Sequence, residues 1–385
     1  MTTNRAIVDA LSSASTAGDS VVLATVVRVT GSSYGGVGAR MVVRVDGSTV
    51  GIVSGGCLES DLAEHARKVH EEGKAKVVTY DTRADDDAAW GLGLGCNGLI
   101  DVLLEPLDAN QSREVGDLLR RAFGSDAPSV LATVMNVESG RPGTPAVGAH
   151  ALITSGAMET SGDWGSGEIL DLIKSHRDDA LAAGRRGLVS DSGDVRVAFE
   201  VVNPAVRLVI CGSGPDAVPL VNFASQLGWE VIVVDHRPVV HAPVERFPGA
   251  TVVECADSLR LGDSVALTSH TAAVVMSHHY ARDLEYVRSL LNSGVAYIGI
   301  LGPRARTETM FGEIAAAGDN VNARSKDTVF GPIGLDVGGD GPDAIALAIV
   351  AEVSAVAHRR EGGHLRDRTT SLHEPSGRSA NARVG

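Results

Sequence analysis

Two cysteines in similar glycine-rich segments are the residues of this chain best suited to chemistry. Cys57 lies in SGGCLE at 54–59, and Cys96 lies in LGCNG at 94–98. Glycine adopts left-handed backbone angles and lets a ligand approach the chain closely. A thiol in such a loop is suited to nucleophilic attack, to carrying a persulfide, or to binding a soft metal such as molybdenum or copper. The alternative is that both thiols only pack, because free cysteine is often buried.

The residues around Cys57 extend the chemistry that this loop offers. Apolar residues recur at helical spacing after it, so Cys57 is predicted to lie at the start of a helix, where the dipole favours a thiolate. The amides of Ser54-Gly55-Gly56 are suitable donors for an anion. Arg40 is a further candidate anion contact. Glu59 fits the preference of acidic residues for helix N-termini and needs no other role.

A glycine turn in the second half of the chain is typical of nucleotide-binding folds. The segment LVICGSGPDA at 208–217 contains Gly212 and Gly214 between a predicted strand and a predicted helix, which is the context of the dinucleotide motif. Asp235 ends the next predicted strand, where an acidic side chain holds a ribose hydroxyl. The alternative is a Rossmann fold with a modified or empty pocket, because Asp216 beside a pyrophosphate is unfavourable.

Two later strand ends carry further candidate ligands. His278 and His279 follow a predicted strand and are suited to binding a ligand or moving protons, although adjacent histidines usually point apart, which argues against a two-histidine metal site. Arg304 lies in the first turn of a predicted helix, an arrangement that suits a phosphate, and the alternative is a solvated arginine. Ligands in open α/β sheets gather at the carboxyl ends of the strands.

These candidates are positioned by two domains and followed by a tail. Asn203-Pro204 is predicted to be a boundary, because the residue before proline is disfavoured in helices. Residues 1–203 are predicted to form a mixed α/β domain that carries the two cysteine loops. Residues 204–360 alternate strands and helices, which predicts a Rossmann-like, doubly wound parallel sheet. The polar segment 361–385 is predicted to be a disordered tail. The sequence shows no internal repeat on inspection.

Composition excludes several classes of function. The 385 residues carry 34 basic and 48 acidic side chains, a net charge of −14, so nucleic acid and anionic membranes are not expected as partners. No apolar run has the length of a membrane span, and the N-terminus does not resemble a signal peptide. The four cysteines lack the paired spacing of a structural zinc site. We expect a cytoplasmic protein with reduced thiols, and a homodimer as the default assembly.

Six motifs, taken in order, resemble those of the XdhC/CoxI family of maturation factors for xanthine dehydrogenase and carbon monoxide dehydrogenase. The first segment is close to the family's SGGCxE, and the second resembles its LGCGG. The glycine turn stands where the family has GAGH, with Pro215 in place of the histidine. Asn97 likewise replaces a glycine. The other three motifs are VMSH at 275–278, GPR at 302–304 and PIGLD at 332–336, which resemble VMTH, GSR and PIGLD.

The resemblance implies a maturation chaperone rather than a turnover enzyme. Such a protein binds the molybdenum cofactor, protects it, helps a sulfurase add its terminal sulfur, and delivers it to a molybdenum hydroxylase as client. Cys57 and Cys96 would then handle the molybdenum. The other candidate cofactor-binding residues are Ser54, Gly55, Gly56, Gly95, Gly212, Gly214, Asp235, His278 and Arg304.

Two other functions stay open at this point. The first is an NAD(P)-dependent oxidoreductase that uses the Gly212 turn and His278, and a nucleotide or NAD(P) in the Rossmann domain is compatible with the chaperone function as well. The second is a scaffold that only recruits a cysteine desulfurase, as the sulfurase, to its client.

Overall fold

The structure is a computed structural model, and it describes residues 4–31, 34–56, 58–81, 98–138, 142–184, 187–238, 244–319 and 327–368. The chain divides into two compact units, one up to Pro204 and one from Ala205 to Arg368. Cys57, Gly95 and Cys96 lie outside the described residues, so their predicted roles stay predictions. Among the helices in the described ranges, none has the length and hydropathy needed to cross a bilayer.

The first half of the first unit is a five-stranded antiparallel sheet with two helices, in the strand order β3-β2-β1-β5-β4. Strands β2 and β3 pair as a hairpin around Asp46-Gly47, a dipeptide typical of tight turns. The elements are α1 (Asn4–Ala17), β1 (Val21–Gly31), β2 (Arg40–Arg44), β3 (Thr49–Gly51), α2 (Glu59–Glu72), β4 (Lys76–Asp81) and β5 (Gly98–Leu107).

The second half is another five-stranded antiparallel sheet, in the order β8-β7-β6-β10-β9. Residues 169–183 form two short helices that meet at His176. Strands β8 and β9 were not predicted, because both are short and rich in polar residues. The elements are α3 (Ala109–Phe123), β6 (Ser129–Val137), β7 (His150–Ile153), β8 (Met158–Ser161), α4 (Ile169–Ser175), α5 (Arg177–Ala183), β9 (Leu188–Ser192) and β10 (Val195–Val202).

The two halves repeat one topology, which corrects the expectation of no internal repeat. Each half runs helix, three strands, helical segment, two strands, and each sheet has the order third-second-first-fifth-fourth. A trace of the repeat survives in the sequence, because Ala24-Thr25-Val26 corresponds to Ala132-Thr133-Val134 and Val37-Gly38-Ala39 to Val147-Gly148-Ala149. Equivalent backbone bonds join these segments, since Gly38 donates to Val26 O and Gly148 to Val134 O, both at 2.9 Å.

The halves pack on each other through residues that occupy equivalent positions. The β1–β5 register shifts after Val26 and the β6–β10 register after Val134, so Val27 and Met135 are the irregular residues of the two sheets. These two side chains are buried in one small cluster with Leu103 and Ala198. The first unit is therefore an internally duplicated fold with a shared core.

Two side-chain pairs, one ion pair and one histidine–carboxylate hydrogen bond, cross between the halves at equivalent positions. Arg40 on β2 pairs with Glu200 on β10, and His150 on β7 pairs with Glu105 on β5 at 2.8 Å. Arg40 is 3% exposed and also donates to Gly38 O at 2.8 Å, so it is not available as the anion contact that we expected from the sequence.

The second unit is a six-stranded sheet in the order β13-β12-β11-β14-β15-β16, and every neighbouring pair is parallel. This confirms the predicted Rossmann-like doubly wound sheet. Its elements are β11 (Arg207–Cys211), α6 (Ala217–Gln226), β12 (Glu230–Asp235), β13 (Ala250–Glu254), α7 (Leu261–Ser264), β14 (Thr271–Val275), α8 (Tyr280–Leu291), β15 (Tyr297–Ile300), α9 (Arg304–Ala316), β16 (Val329–Phe330) and α10 (Pro342–Ala357).

Alternate strand residues of this sheet bury two separate cores. On β11, Leu208 and Ile210 pack with α6 and α10, whereas Val209 and Cys211 pack with α8 and α9. The strand order switches between the neighbouring strands β11 and β14, because β12 and β13 are added on one side of β11 and the later strands on the other. The loops that follow β11 and β14 therefore flank the crevice where ligands usually bind in such sheets. A 3₁₀ turn at Leu365–Asp367 lies within the segment 361–385, which was expected to be disordered. Residues 369–385 of that segment lie outside the described ranges.

Candidate functional site

The carboxylate of Glu59 organises the segment on both sides of Cys57. Its Oε1 accepts hydrogen bonds from the amides of Val53 at 3.1 Å and Ser54 at 2.8 Å. Its Oε2 accepts from the Ser54 hydroxyl at 2.6 Å, the Gly56 amide at 2.8 Å and the Leu58 amide at 3.2 Å. Five donors therefore meet one carboxylate, and the peptides that flank residue 57 are tied to a helix terminus.

This arrangement changes the predicted role of the loop. The Ser54 and Gly56 amides were expected to bind an external anion, but the chain's own Glu59 already accepts from them. Burial alone would raise the pKa of Glu59, but the hydrogen bonds from Ser54, Val53 and its own amide outweigh burial and hold the pKa below its usual value. Glu59 is thus a site residue that sequence reasoning missed, although its fixed distance from Cys57 in the motif was a usable signal.

An exposed aromatic ring lies against the same loop. A Cβ placed on Gly55 would meet the ring of Tyr34 at 3.0 Å, so this ring covers Gly55 directly. Tyr34 is 64% exposed, which leaves much of its surface open to solvent. Gly55 and Gly56 have φ values of +78° and +109°, so both glycines are required by the backbone of this turn.

In the second unit, the strand ends bring together the predicted residues Gly212, Gly214, Asp235 and His278. Gly212 has φ of +134°, and a Cβ there would lie 2.5 Å from Met276 O, so the β11 turn touches the loop after β14. A Cβ on Gly214 would lie 3.5 Å from the His278 ring. Ser213 donates its hydroxyl to Asp235.

Asp235 has no free acceptor position. Its Oδ1 accepts from the Arg237 amide at 2.9 Å and from Arg237 Nε at 3.0 Å, and its Oδ2 accepts from Arg237 Nη2 at 2.8 Å and from Ser213. A carboxylate offers about four acceptor sites, and all are taken here. Burial opposes ionisation, but the bonds from Arg237 and Ser213 outweigh it and hold the Asp235 pKa well below its usual value.

Asp216 and His278 form a pair at the mouth of the glycine turn. His278 Nε2 and Asp216 Oδ2 are 2.7 Å apart, with side chains 59% and 15% exposed respectively. His278 has φ of +60°, a backbone conformation that is uncommon outside glycine. Asp216 Oδ1 is buried and has no hydrogen-bond partner within the described ranges.

A buried network fixes the loop that carries His278. Asp283 accepts from the Ser277 amide at 3.1 Å and from the Ser277 hydroxyl at 2.5 Å, and its other oxygen accepts from Arg306 at 2.6 Å. The predicted Arg304 is exposed at the start of α9 and pairs with no described residue. Arg306, two residues beyond the GPR motif, is therefore the arginine that organises the site, and Arg304 remains a surface cation.

The remaining cysteines have structural positions. Cys211 and Cys255 are buried, and burial is the main cause that raises the pKa of each thiol. Neither is suited to act as a thiolate. Across the described ranges, no group of three or more His, Cys, Asp and Glu side chains is placed to hold a metal ion.

The fold and both candidate sites define a protein with a duplicated α/β unit and a Rossmann unit. Family models match these two parts, one described as the XdhC and CoxI family over residues 14–81 and one as the XdhC Rossmann domain over residues 208–353. A solved structure from Bacillus halodurans, described as a xanthine dehydrogenase, shares 31% identity, covers 92% of this chain and 97% of its own, and has a TM-score of 0.71. The chain belongs to the XdhC and CoxI family.

Two curated relatives extend over most of the chain. One, from Bacillus subtilis, is named as a probable subunit of xanthine dehydrogenase and is 29% identical over 87% of this chain and 92% of the relative. The other, from Escherichia coli, is named molybdenum cofactor insertion chaperone PaoD and is 23% identical over 89% of this chain and 86% of the relative.

Proposed function

We propose that this protein is a maturation chaperone that binds the molybdenum cofactor as cargo and delivers it to a molybdenum hydroxylase. The observation that carries the proposal is family membership along both units together with a relative named as an insertion chaperone for this cofactor. The relative from Bacillus subtilis supports a client of the xanthine dehydrogenase type. Both the specific client and a homodimeric assembly are part of the proposal.

The loop around Cys57 is the proposed site for the cargo. Glu59 accepts from the peptides on both sides of Cys57, so the backbone that flanks the thiol is held to a helix terminus. Tyr34 presents an exposed ring beside this loop, on which a flat pterin can stack. Because Glu59 already accepts from the Ser54 and Gly56 amides, these two donors are not available to the phosphate of the pterin. Cys96 is the second proposed thiol.

Sulfuration of the cofactor is the finer part of the proposal. In this role the chaperone holds the cargo while a cysteine desulfurase, as the sulfurase, adds the terminal sulfur. The thiol of Cys57 or Cys96 would contact the molybdenum end of the cofactor. The support for this step is the position of the Glu59 loop, which holds the backbone on both sides of Cys57.

The test is cofactor retention by purified protein. The chain is produced in cells that make molybdenum cofactor, and molybdenum and released pterin are measured per protein for Cys57→Ala, Cys96→Ala and the matched control Cys255→Ala. We expect at least about tenfold less bound cofactor for one or both loop variants, from the loss of a metal–thiolate contact, and no change for the control. Unchanged content in both loop variants would rule out cysteine ligation.

Tyr34 provides a second, independent arm of this test. Tyr34→Phe retains the ring and should retain cofactor, whereas Tyr34→Ala removes it and should weaken binding by about 1 kcal/mol, the value of a stacked aromatic contact. Equal loss in both variants would show that the hydroxyl, and not the ring face, is what matters. Pull-down of a desulfurase by the double cysteine variant would favour a recruiting scaffold instead.

A further inference from the structure

The glycine turn of the second unit differs from a dinucleotide site in three independent ways. At the start of α6, Pro215 has no amide hydrogen, so one donor that would face a pyrophosphate is missing. Asp216 places a carboxylate at the same helix terminus. Asp235 has all four acceptor positions filled by Arg237 and Ser213, so it has none left for a ribose hydroxyl.

The position of Asp216 is the strongest of these features. A Cβ on Gly214 would overlap its Oδ1, so the carboxylate covers the glycine face over which a pyrophosphate passes in this fold. The bond from His278 holds it there, and the side chain is only 15% exposed. Since Oδ1 has no hydrogen-bond partner among the described residues, no donor there offsets the negative charge that it places beside the turn.

We infer that Asp216 is a specificity-determining residue that excludes nucleotide pyrophosphates from the Rossmann turn. The helix N-terminus, which in related folds binds a phosphate, here has the carboxylate of Asp216 beside it, and that carboxylate accepts from none of the helix amides. A second anion must either displace Asp216 from His278 or bind against its charge. This inference does not depend on the chaperone function, and it argues against NAD(P) as a ligand of the turn.

The unpartnered Oδ1 of Asp216 also determines which chemical groups are disfavoured at the turn. An unpartnered carboxylate oxygen is stabilised by a hydrogen-bond donor or a cation and destabilised by a phosphate. Phosphoanhydrides are therefore not compatible with this turn in its present conformation. Asp216→Asn tests this distinction directly, because the amide keeps the shape of the side chain and removes its charge.

The experiment is calorimetric titration of the full-length chain with two probes, inorganic pyrophosphate and NAD⁺. We expect no binding of either probe to the wild type at millimolar concentration. Asp216→Asn should bind pyrophosphate at least about tenfold more tightly than the wild type, because a like charge close to the ligand is removed. Its gain for NAD⁺ should be smaller, because Asp235 remains occupied.

Two further variants distinguish the effect of the Asp216 charge from that of the Asp216–His278 hydrogen bond. His278→Ala removes the partner that holds Asp216 in place but leaves the carboxylate, so its gain in pyrophosphate binding should be smaller than that of Asp216→Asn. Glu72→Gln removes an exposed charge at the end of α2 and controls for the change in net charge. Thermal unfolding confirms that each variant is folded. Submillimolar NAD⁺ binding by the wild type, no gain in Asp216→Asn, or an equal gain in His278→Ala would each overturn the inference.

Discussion

The Arg40–Glu200 and His150–Glu105 pairs between the halves of the first unit should differ in energetic importance, although they occupy equivalent positions. Arg40 and Glu200 are 3% and 15% exposed, and His150 and Glu105 are 5% and 2% exposed. A guanidinium is always charged, whereas a neutral imidazole can donate from one nitrogen and accept at the other. His150 has a partner for each nitrogen, Glu105 at 2.8 Å and the Thr133 hydroxyl at 3.0 Å.

The magnitudes follow from this difference in chemistry. Glu200→Gln leaves the Arg40 cation buried without a counter-charge, and breaking a buried pair in this way costs roughly 3–5 kcal/mol. The Phe123 ring lies 5.7 Å from the guanidinium and offsets only a little of that. Glu105→Gln keeps an oxygen that accepts from the imidazole, so its cost should be about 1 kcal/mol, as for one neutral hydrogen bond.

The assay is urea unfolding followed by circular dichroism, with hydrogen exchange on β1 and β6 to assign the transition to the first unit. Unchanged slopes against urea are required for the comparison to report stability. The double variant Arg40→Met/Glu200→Leu should recover most of the loss, because apolar pairs replace buried ion pairs at little cost. Equal losses for the two glutamine variants, or a larger one for Glu105→Gln, would refute the reasoning.

Three further predictions concern single residues. Glu59→Gln should lower the free energy of unfolding by about 2–3 kcal/mol in urea, because one amide oxygen cannot serve five donors, whereas Glu64→Gln, paired only with Lys68 on the surface, should change it by less than about 0.5 kcal/mol. Asp235 has a pKa below the usual 3.8, so its stabilising contribution is present above that pH and is lost as the pH falls towards the folded-state pKa; Asp235→Asn should therefore flatten the acid side of the stability profile measured by thermal unfolding. Gly148→Ala should cost about 1–3 kcal/mol, because a Cβ would lie 2.8 Å from Glu105 at φ of +88°, and Gly156→Ala, which meets nothing within 4 Å, is its control.

The second unit was the part of the fold most readily predicted from the sequence. Its strands are continuous apolar runs, as expected when both faces are covered, and glycine turns end several of them. The order of those runs then fixes a parallel sheet. What the sequence did not indicate is that Asp235 is saturated, because Arg237 lies two residues further on and reaches back only once the loop is folded.

The repeat in the first unit was missed for a different reason. Only short stretches such as Ala24-Thr25-Val26 and Ala132-Thr133-Val134 match, and the helical segments between the third and fourth strands differ in form. The match is in strand order and in backbone hydrogen bonds, neither of which follows from residue identity. The role of Glu59 as an acceptor was missed for a similar reason, because its hydrogen bonds depend on the loop that folds back over the start of the helix.

The duplication gives a reason to assign function to the Cys57 loop rather than structure. In the second half, the segment after β8 fills the equivalent connection with Trp164, which is 7% exposed and donates its indole hydrogen to His150 O at 3.2 Å. The same strand order thus forms without a cysteine, without Ser54-Gly55-Gly56 and without the carboxylate of Glu59. A fold that can close this connection with a buried tryptophan does not need five donors gathered on a glutamate beside a thiol. The first half nevertheless keeps this arrangement, which supports the proposal that its loop, and not the equivalent connection of the second half, handles the cargo.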